Sequence, residues 1–300
     1  MEIWIWISIA AALFQTLRFM LQKQLASGRL SVAGSTFARF VFSAPLVIVV
    51  VALYGGLMGY HLPALGAEFF PFAMVGGLAQ ILATLAVVAL FASRNFAAGI
   101  TFKKTEVILT ALVGFAVLGD RITLIGFVAL LIGLLGVILL SDPPENAGTR
   151  QFSILNRSAG LGVLSGVFFA VSAVSYRGAT LAVDSEDFIF RAGVTLAFVS
   201  VFQTLVLGVW LALREPGQIG QTLQHWRTTG VVGLMSMLGS YSWFMAFTLQ
   251  SAAYVFAVGQ IEVIFSFLVG IFIFHERSSK RELTGITAIT LSILVLVLFG

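Results

Sequence analysis

The sequence predicts an all-α integral membrane protein with ten transmembrane helices, arranged as two inverted five-helix repeats. Three observations predict this fold: the composition, the length of the apolar segments and an internal repeat. The chain of 300 residues is 59% hydrophobic and 10% charged, whereas soluble domains contain about 25% charged residues. Its apolar segments run for about 20 residues, the length that a helix needs to cross the hydrocarbon core of a bilayer.

Apolar windows between polar, glycine or proline breaks define the predicted spans in chain order. They cover residues 3–25, 34–57, 68–92, 97–118, 122–141, 156–181, 186–213, 225–250, 253–274 and 281–299. The most polar connection, residues 142–155, begins with the turn formers around Pro143 and Pro144 and separates five spans from five. We therefore expect an N-terminal repeat over 1–141, a linker, and a C-terminal repeat over 156–300.

A sequence repeat relates the two halves. The segment 105–121 recurs 156 residues later as 261–277, and each copy contains Glu-Val-Ile, a later glycine and an acidic residue followed by arginine. A unit of five spans crosses the bilayer an odd number of times, so its second copy enters from the opposite face. Inverted repeats of this kind enclose alternating-access sites in secondary transporters, and we favour transport over an inert helical scaffold.

At these repeated segments the chain resembles the drug/metabolite transporter superfamily, in particular its ten-span EamA-type members. The resemblance rests on Glu106-Val107 through Gly119-Asp120, on Glu262-Val263 through His275-Glu276 and on Arg39-Phe40. Family members often carry proline where this chain has valine after each glutamate, so no proline kink is expected here. The resemblance implies a proton-coupled, exchange or facilitated mechanism, with export of an amino acid or related metabolite as the leading expectation.

Charged residues near the middle of a span are candidates for a binding or coupling site, because inserting each costs about 2.5–3.5 kcal/mol. Glu106 and Glu262 lie nine residues inside their predicted spans, roughly 14 Å deep. Lys103 shares a helical face with Glu106, so the two can pair. Lys104 points elsewhere, either to Glu262 or into a cavity where it binds an anionic group. We favour a site here, with structural pairing as the alternative.

Other polar residues of the early spans have two interpretations. Arg39 and Arg191 lie five residues inside their spans, a depth of roughly 8 Å from which arginine can snorkel to the headgroups. Structural anchoring is therefore favoured for both over a place in the site. Gln15, Arg18 and Gln22 form one stripe of the first span, the arrangement of a face turned to the bundle interior. There Arg18 either lines a pore or pairs with a glutamate.

A further set of residues could surround a solute through hydrogen bonding and stacking, although packing is the simpler interpretation of each one alone. These residues are Gln80, Tyr241, Trp243, Tyr254 and Gln260.

Several functional classes are disfavoured. The histidines fall at loops or span ends and no aspartate lies within a span interior, so the chain is not expected to be an intramembrane enzyme. Cysteine and glycine-rich phosphate-binding motifs are missing from the sequence, so we expect no cofactor, metal site or ATP-driven step. The expected partners are a small solute, lipid, and protons or a counter-transported solute, without nucleic acid. An organic-anion or phosphate-ester exchanger and a non-transport scaffold stay open as alternatives.

Basic residues are divided unequally between the two sets of loops. With the loops numbered from the N-terminus, ten basic residues lie in odd-numbered loops. Only Arg121, Arg177 and Arg191 lie on the side of the even-numbered loops. Because positive flanks are retained in the cytoplasm, this bias predicts cytoplasmic odd loops and external termini, in the inner membrane of a bacterium. The family resemblance implies the opposite orientation.

Overall fold

The computed structural model describes residues 2–26, 28, 30–93, 106–140, 157–274 and 280–299, and these segments are almost entirely helical. The helices are α1 Ile3–Ala26, α2 Val32–Met58, α3 Phe69–Ser93, α4 Glu106–Leu118, α5 Leu124–Leu140, α6 Arg157–Leu181, α7 Phe188–Arg214, α8 Gln218–Gln224, α9 Trp226–Leu249, α10 Ala252–Val258, α11 Ile261–Phe274 and α12 Lys280–Phe299. The predicted all-α class is confirmed. Lys103, Lys104 and the linker 142–155 lie outside the described residues.

Six of these helices, α1, α2, α3, α6, α7 and α9, are long and apolar enough to cross a membrane. Shorter apolar segments coincide with the other predicted spans: Glu106–Leu118, Leu124–Gly136, Ala252–Phe265 and Thr284–Phe299. Large apolar side chains on the outside of the bundle, such as Leu57, Leu124 and Leu213, are highly exposed. Such a surface suits acyl chains rather than water, and the chain is an integral membrane protein.

Local sequence signals fix several helix ends. The Ser31 side chain accepts a hydrogen bond from the Gly34 amide at the start of α2, and Asp187 caps α7 in the same way. Gly59 and Gly119, which follow α2 and α4, have φ of 71° and 69°. Glycine adopts this left-handed conformation without a Cβ clash, so both helices end with a sharp turn.

The ninth predicted span, residues 253–274, is not one continuous helix. It is divided into α10 and α11, with Gly259 and Gln260 between them. The Glu262 amide donates to the Gly259 carbonyl at 3.0 Å, and the Val263 amide donates to the Gln260 carbonyl at 2.9 Å. These short-range bonds form a tight turn from which the second helix starts. The sequence predicted one span over 253–274, whereas the structure divides it beside Glu262 without any proline.

Contacts between the two halves follow a regular pattern. Among the described helices, α3 packs extensively on α6 and α1 on α9, while α2 packs on α7 and α5 on α12. In the sequence repeat, α1, α2, α3 and α5 correspond to α6, α7, α9 and α12. If each helix is replaced by its counterpart in the repeat, the α3–α6 contact becomes the α9–α1 contact. The α2–α7 and α5–α12 contacts each become themselves. The main helix contacts are therefore the same when the two predicted repeats are exchanged.

The loops contact one another in two groups. One group, called here the even-loop end, comprises residues 59–68, 119–123, 182–187 and 250–251. Within it, Leu65 and Val183 form an antiparallel bridge between the two halves. In the other group, the Ser31 amide donates to Gln218 Oε1 at 2.9 Å, and the Ser31 hydroxyl donates to the Glu215 carboxylate. These contacts thus join even-numbered loops to each other and odd-numbered loops to each other.

Candidate functional site

Gln15 of α1 connects three helices in the interior of the bundle. Its Nε2 donates to Glu262 Oε2 on α11 at 3.2 Å, and its Oε1 accepts from Trp243 Nε1 on α9 at 3.1 Å. Because an indole N–H only donates, it fixes the orientation of the amide, whose NH₂ then faces the Glu262 carboxylate. The residues Gln15, Arg18, Arg39, Trp243 and Glu262 are called the central cluster below.

Arg39 projects from α2 into the bundle, where 2% of its surface is exposed. Its Nη1 donates to Thr84 of α3 at 2.9 Å, while its Nε and Nη2 donate to Ser236 and Ser240 of α9 at 3.1 Å and 3.2 Å. The predicted snorkelling of Arg39 to the headgroups was wrong, because these hydroxyls provide its partners inside the protein. Among the described residues, all its hydrogen-bond acceptors are neutral.

Arg18 lies one turn along α1 from Gln15 and is 3% exposed. Its Nη2 is 3.5 Å from Gln15 Oε1, and its guanidinium carbon lies 4.3 Å from the centre of the Phe19 ring. Within the described part of the chain, its Nη1 has no hydrogen-bond partner. Arg18, Arg39 and Glu262 are close enough to interact electrostatically. The central cluster therefore contains two buried cations and one carboxylate.

A second polar network lies across the bundle from Gln15. Gln203 of α7 donates through Nε2 to Gln80 Oε1 of α3 at 2.9 Å and to the Gly77 carbonyl at 3.0 Å. Tyr176 of α6 donates its hydroxyl to Gln80 Oε1 at 3.0 Å. The sequence analysis selected Gln80 but missed Gln203 and Tyr176. An amide in the middle of the otherwise apolar span 186–213 was the signal that identifies Gln203.

A cavity lies between the two networks and is lined by helices of both halves. The cavity is small: its volume is about 20 Å³, within about 310 Å³ of empty space that includes the open mouth. Its polar wall is formed by Gln15, Gln80, Ser172 and Ser240. Its aromatic wall is formed by Phe169, Tyr176, Trp243, Phe244, Phe247 and Phe256. None of these lining residues is a carboxylate, and the hydrogen-bonding side chains of Gln15 and Ser240 connect the cavity to Arg18 and Arg39.

The aromatic wall is tightly organised. Trp243 and Phe247 stack with ring centres 5.8 Å apart at 16°, and Phe256 meets each of them edge-on at 5.4 Å. A side chain at position 259 would collide with the Trp243 ring. Gly259 therefore permits the Trp243 ring to approach the backbone at the break between α10 and α11. The break and the aromatic wall are thus in direct contact.

The remaining predicted residues are placed differently. Gln260 is buried and packs beside Gly133 of α5 and Ser292 of α12, and it is not among the residues that line the cavity. Glu106 is buried at the first described residue of α4. Its predicted pairing with Lys103 falls outside the described residues. The structure thus brings together Gln15, Arg18, Arg39, Trp243 and Glu262, and Gln80 lines the same cavity as Gln15 and Trp243.

A separate group at the even-loop end is called the edge cluster and is formed by Asp120, Arg177, the Phe247 carbonyl and the Gln250 carbonyl. Arg177 Nη1 donates to the two carbonyls at 2.7 Å and 2.8 Å, and its Nε lies 3.4 Å from Asp120 Oδ2. The left-handed turn at Gly119 directs Asp120 back over the last turn of α4. This ion pair connects the two halves next to the aromatic wall.

Asp187, also at the even-loop end, accepts hydrogen bonds from Tyr54 at 2.6 Å and Tyr60 at 3.2 Å. It also accepts from the amides of Ile189 and Phe190 as the cap of α7. Partial burial tends to raise the pKa of Asp187, but the hydrogen bonds, that of Tyr54 foremost, outweigh it and hold the pKa below its ordinary 3.8. The group is therefore a structural anion.

The fold and the buried polar cluster define an integral membrane helix bundle with a small cavity lined by both of its halves. Residues 156–298 match the sequence model of the EamA-like transporter family. The C-terminal half of the chain is therefore similar to the EamA-like transporter family, and the predicted resemblance is confirmed. Members of this family are transporters of small solutes rather than enzymes.

Comparison with solved structures extends the fold over nearly the whole chain. One, described only as the crystal structure of a protein, superposes with a TM-score of 0.71 at 14% identity and covers 97% of this chain and 94% of its own. At this identity the match is informative about the fold alone. No curated protein matches the sequence.

Proposed function

We propose that this protein is a secondary transporter that moves a small metabolite across the membrane by alternating access around the central cluster. One observation carries the proposal: Arg18 and Arg39 are buried in the interior of a membrane bundle, beside a cavity that both halves line. Ionisable residues in such positions are expensive to insert and are typical of solute and ion pathways. A purely structural scaffold gives no reason for two buried cations at this place.

The packing pattern supports ten spans in two inverted repeats as the moving parts. Contacts α3–α6 and α1–α9 interchange under the repeat operation, as expected if two similar five-helix units face each other. The contacts between loops of equal parity agree with a chain that crosses the bilayer at every predicted span. The break between α10 and α11 beside Glu262 resembles the discontinuous helices that form binding sites near the midplane of secondary transporters.

Export of an amino acid or a related metabolite is the first candidate activity, because the family resemblance implies it. Exchange of an organic anion or a phosphate ester is the second. The Arg18 Nη1 group favours the second candidate, since it is a buried donor without a hydrogen-bond acceptor among the described residues. A carboxylate or phosphate oxygen is the natural acceptor for a guanidinium group.

Glu262, with Glu106 as a second candidate, would couple transport to protons. Glu262 is fully buried and accepts a hydrogen bond from Gln15, so its protonation changes a contact within the central cluster. A proton that Glu262 takes up on one side of the membrane and releases on the other would couple solute movement to the proton gradient.

The experiment begins with a thermal-shift screen of the purified protein against amino acids, organic acids, sugar phosphates and nucleosides, because a ligand stabilises the state that it binds. The stabilising solute is then assayed in liposomes with an imposed pH gradient. We expect flux in the wild type, and loss of gradient-driven flux in the Glu106→Gln, Glu262→Gln double variant. Full gradient-driven flux in that variant would exclude the coupling role. Stability that no solute changes would support the scaffold alternative.

A further inference from the structure

The second helices of the two predicted repeats, α2 and α7, are joined at both ends of the bundle. At the even-loop end, Tyr54 in the last part of α2 donates to the carboxylate of Asp187, the cap of α7, at 2.6 Å. At the opposite end, Ser31, the cap of α2, donates its hydroxyl to the carboxylate of Glu215, which directly follows α7. Each cap residue therefore binds both its own helix and the C-terminal end of the partner helix.

Further contacts strengthen each of these two junctions. At the opposite end, the Ser31 amide donates to Gln218 Oε1 at 2.9 Å. At the even-loop end, the Tyr60 hydroxyl donates to the Asp187 carboxylate at 3.2 Å, and the centres of the Tyr60 and Phe190 rings lie 5.1 Å apart. The two ends thus have the same kind of junction, a cap residue bound to the end of the partner helix, although the side chains differ.

Between the two junctions, α2 and α7 stay in close contact. The contacting positions advance along α2 as they recede along α7, as expected for antiparallel helices in constant register. These contacts are Phe37 with Gly208, Val51 with Gly193, and Gly55 with Phe190. A Cβ built on any of the three glycines would lie within 3.3 Å of the partner side chain. The two backbones therefore approach closely over most of the length of both candidate spans.

This arrangement limits how α2 and α7 can move in an alternating-access cycle. If two inverted repeats exchange their conformations, each face of the protein takes the arrangement that the opposite face had before. The exchange converts the α2–α7 contact into itself. The spacing of α2 and α7 at the even-loop end in the second state is therefore the spacing now found at the opposite end. Because both ends are joined in the present structure, neither end separates in the other state.

We infer that α2 and α7 move as one unit, called here the fixed pair, throughout the cycle, and that the solute enters and leaves between other helices. The inference rests on the alternating access proposed above. The α3–α6 and α1–α9 contacts differ from the fixed pair, because the exchange converts each of them into the other. These two contacts can therefore alternate in tightness, whereas the α2–α7 contact stays constant.

The test is distance measurement by pulsed EPR on the full-length protein in lipid nanodiscs. The sequence contains no cysteine, so spin labels attach only where a cysteine is introduced. Leu57→Cys with Glu186→Cys labels two exposed positions and measures the fixed pair at the even-loop end. Val32→Cys with Leu213→Cys labels the first residue of α2 and the last turn of α7, and it measures the opposite end.

A third labelled pair, Phe70→Cys with Leu249→Cys, is the reference. It connects the start of α3 to the end of α9 at the even-loop end, where alternating access requires a change. Distances are recorded at pH 5 and pH 8, with and without the Glu106→Gln, Glu262→Gln background. We expect the reference distance to change by more than about 2 Å, as in domain rearrangements. Both distances within the fixed pair should change by less than that.

Variants test whether the hydrogen bonds hold the fixed pair together. The Tyr54→Phe, Tyr60→Phe double variant removes both hydroxyls that bind Asp187 and should broaden the distance distribution at the even-loop end alone. Tyr254→Phe is the matched control, because its hydroxyl contacts Thr123, outside the fixed pair. It should broaden neither distribution. An unchanged distribution in the double variant would overturn the assignment of this junction to the tyrosine hydroxyls.

The outcomes separate this inference from the proposed function. If the reference distance changes and either distance within the fixed pair changes with it by more than about 2 Å, the fixed pair is wrong and alternating access stands. If none of the three distances changes under any condition, alternating access is not supported and the inference fails with it. If Glu186→Cys does not fold, Asp184→Cys labels another exposed position of the same loop and measures the same end.

Discussion

The central cluster and the edge cluster both contain an arginine inside the bundle, but the two arginines have partners of different kinds. Arg177 at the even-loop end faces Asp120 and two main-chain carbonyls. Arg39 in the centre faces three neutral hydroxyls. Charge is neutralised by the protein at the edge, whereas in the described part of the centre two arginines share one carboxylate. The difference teaches that, among the described residues, the arginines of the centre are held mainly by neutral groups, as the proposed solute site requires.

The energetics of the two clusters should differ accordingly. Partly exposed ion pairs such as that of Asp120 and Arg177 contribute about 0–1 kcal/mol. Removing one partner of a buried charged network costs about 3–5 kcal/mol, since it leaves the remaining groups uncompensated. Substitutions in the centre should therefore affect transport strongly, and substitutions at the edge should change stability slightly.

The largest effect is expected for Arg39→Leu. The variant removes a positive charge and the three hydrogen bonds that the Arg39 guanidinium donates. A hydrogen bond from a charged group contributes about 1.5–3 kcal/mol. Loss of one such bond in the transport step would change the rate by about ten- to hundredfold. We expect flux in liposomes to fall at least tenfold per folded protein, with little rescue by Arg39→Lys, which lacks the planar fork. Flux within twofold of the wild type would place Arg39 outside the transport path. Arg214→Gln is the matched control.

Gln15→Leu should have the next largest effect. It leaves the Trp243 N–H and the Glu262 carboxylate without the amide that joins them, and a buried polar group left unsatisfied costs about 1–3 kcal/mol. Thermal unfolding in detergent should show that loss, and solute binding should weaken with it. Gln221→Leu, an exposed change in α8, is the control and should leave both quantities unchanged. Equal stability of the two variants would contradict the role of Gln15.

Much of the fold was predictable from the sequence, because the length of an apolar segment directly reflects bilayer thickness. The interior stripe of Gln15, Arg18 and Gln22 was predictable as well, since side chains three and four residues apart share a helix face, and all three are buried. The break between α10 and α11 was not. At the break, Gly259 lies close to the ring of Trp243, and a contact with another helix cannot be read from the local sequence.

The partners of the site residues were also beyond local reasoning. Depth along a span suggested that Arg39 snorkels, but its acceptors Thr84, Ser236 and Ser240 come from α3 and α9, far away in sequence. The depth of a residue in its span does not show whether a neighbouring helix places hydroxyl groups within hydrogen-bonding distance of its side chain. Gln260 is the complementary case, because it is buried beside Gly133 and is not among the residues that line the cavity.

At the edge, Asp120→Asn should lower the free energy of unfolding by about 0.5–1 kcal/mol and change flux less than twofold. Arg177 would keep its two carbonyl acceptors, so most of the local geometry should survive. Asp184→Asn removes an exposed carboxylate from a nearby loop and is the control for net charge. A tenfold change of flux in Asp120→Asn would contradict the distinction between the two clusters, because the edge ion pair would then take part in transport.

The smallest effect concerns the pH dependence of Asp187. Its pKa lies below 3.8 in the folded protein, so its contribution to stability is present above pH 3.8 and is lost as the pH falls through the folded-state value. Because Asp187 is largely solvated, the contribution should be small. Asparagine also caps helices, so Asp187→Asn should keep α7 intact and remove only the titration. Between pH 5 and pH 3 the unfolding temperature of the wild type should fall slightly more than that of the variant. Parallel curves would show that Tyr54 and Tyr60 stabilise the neutral and charged forms of this group equally.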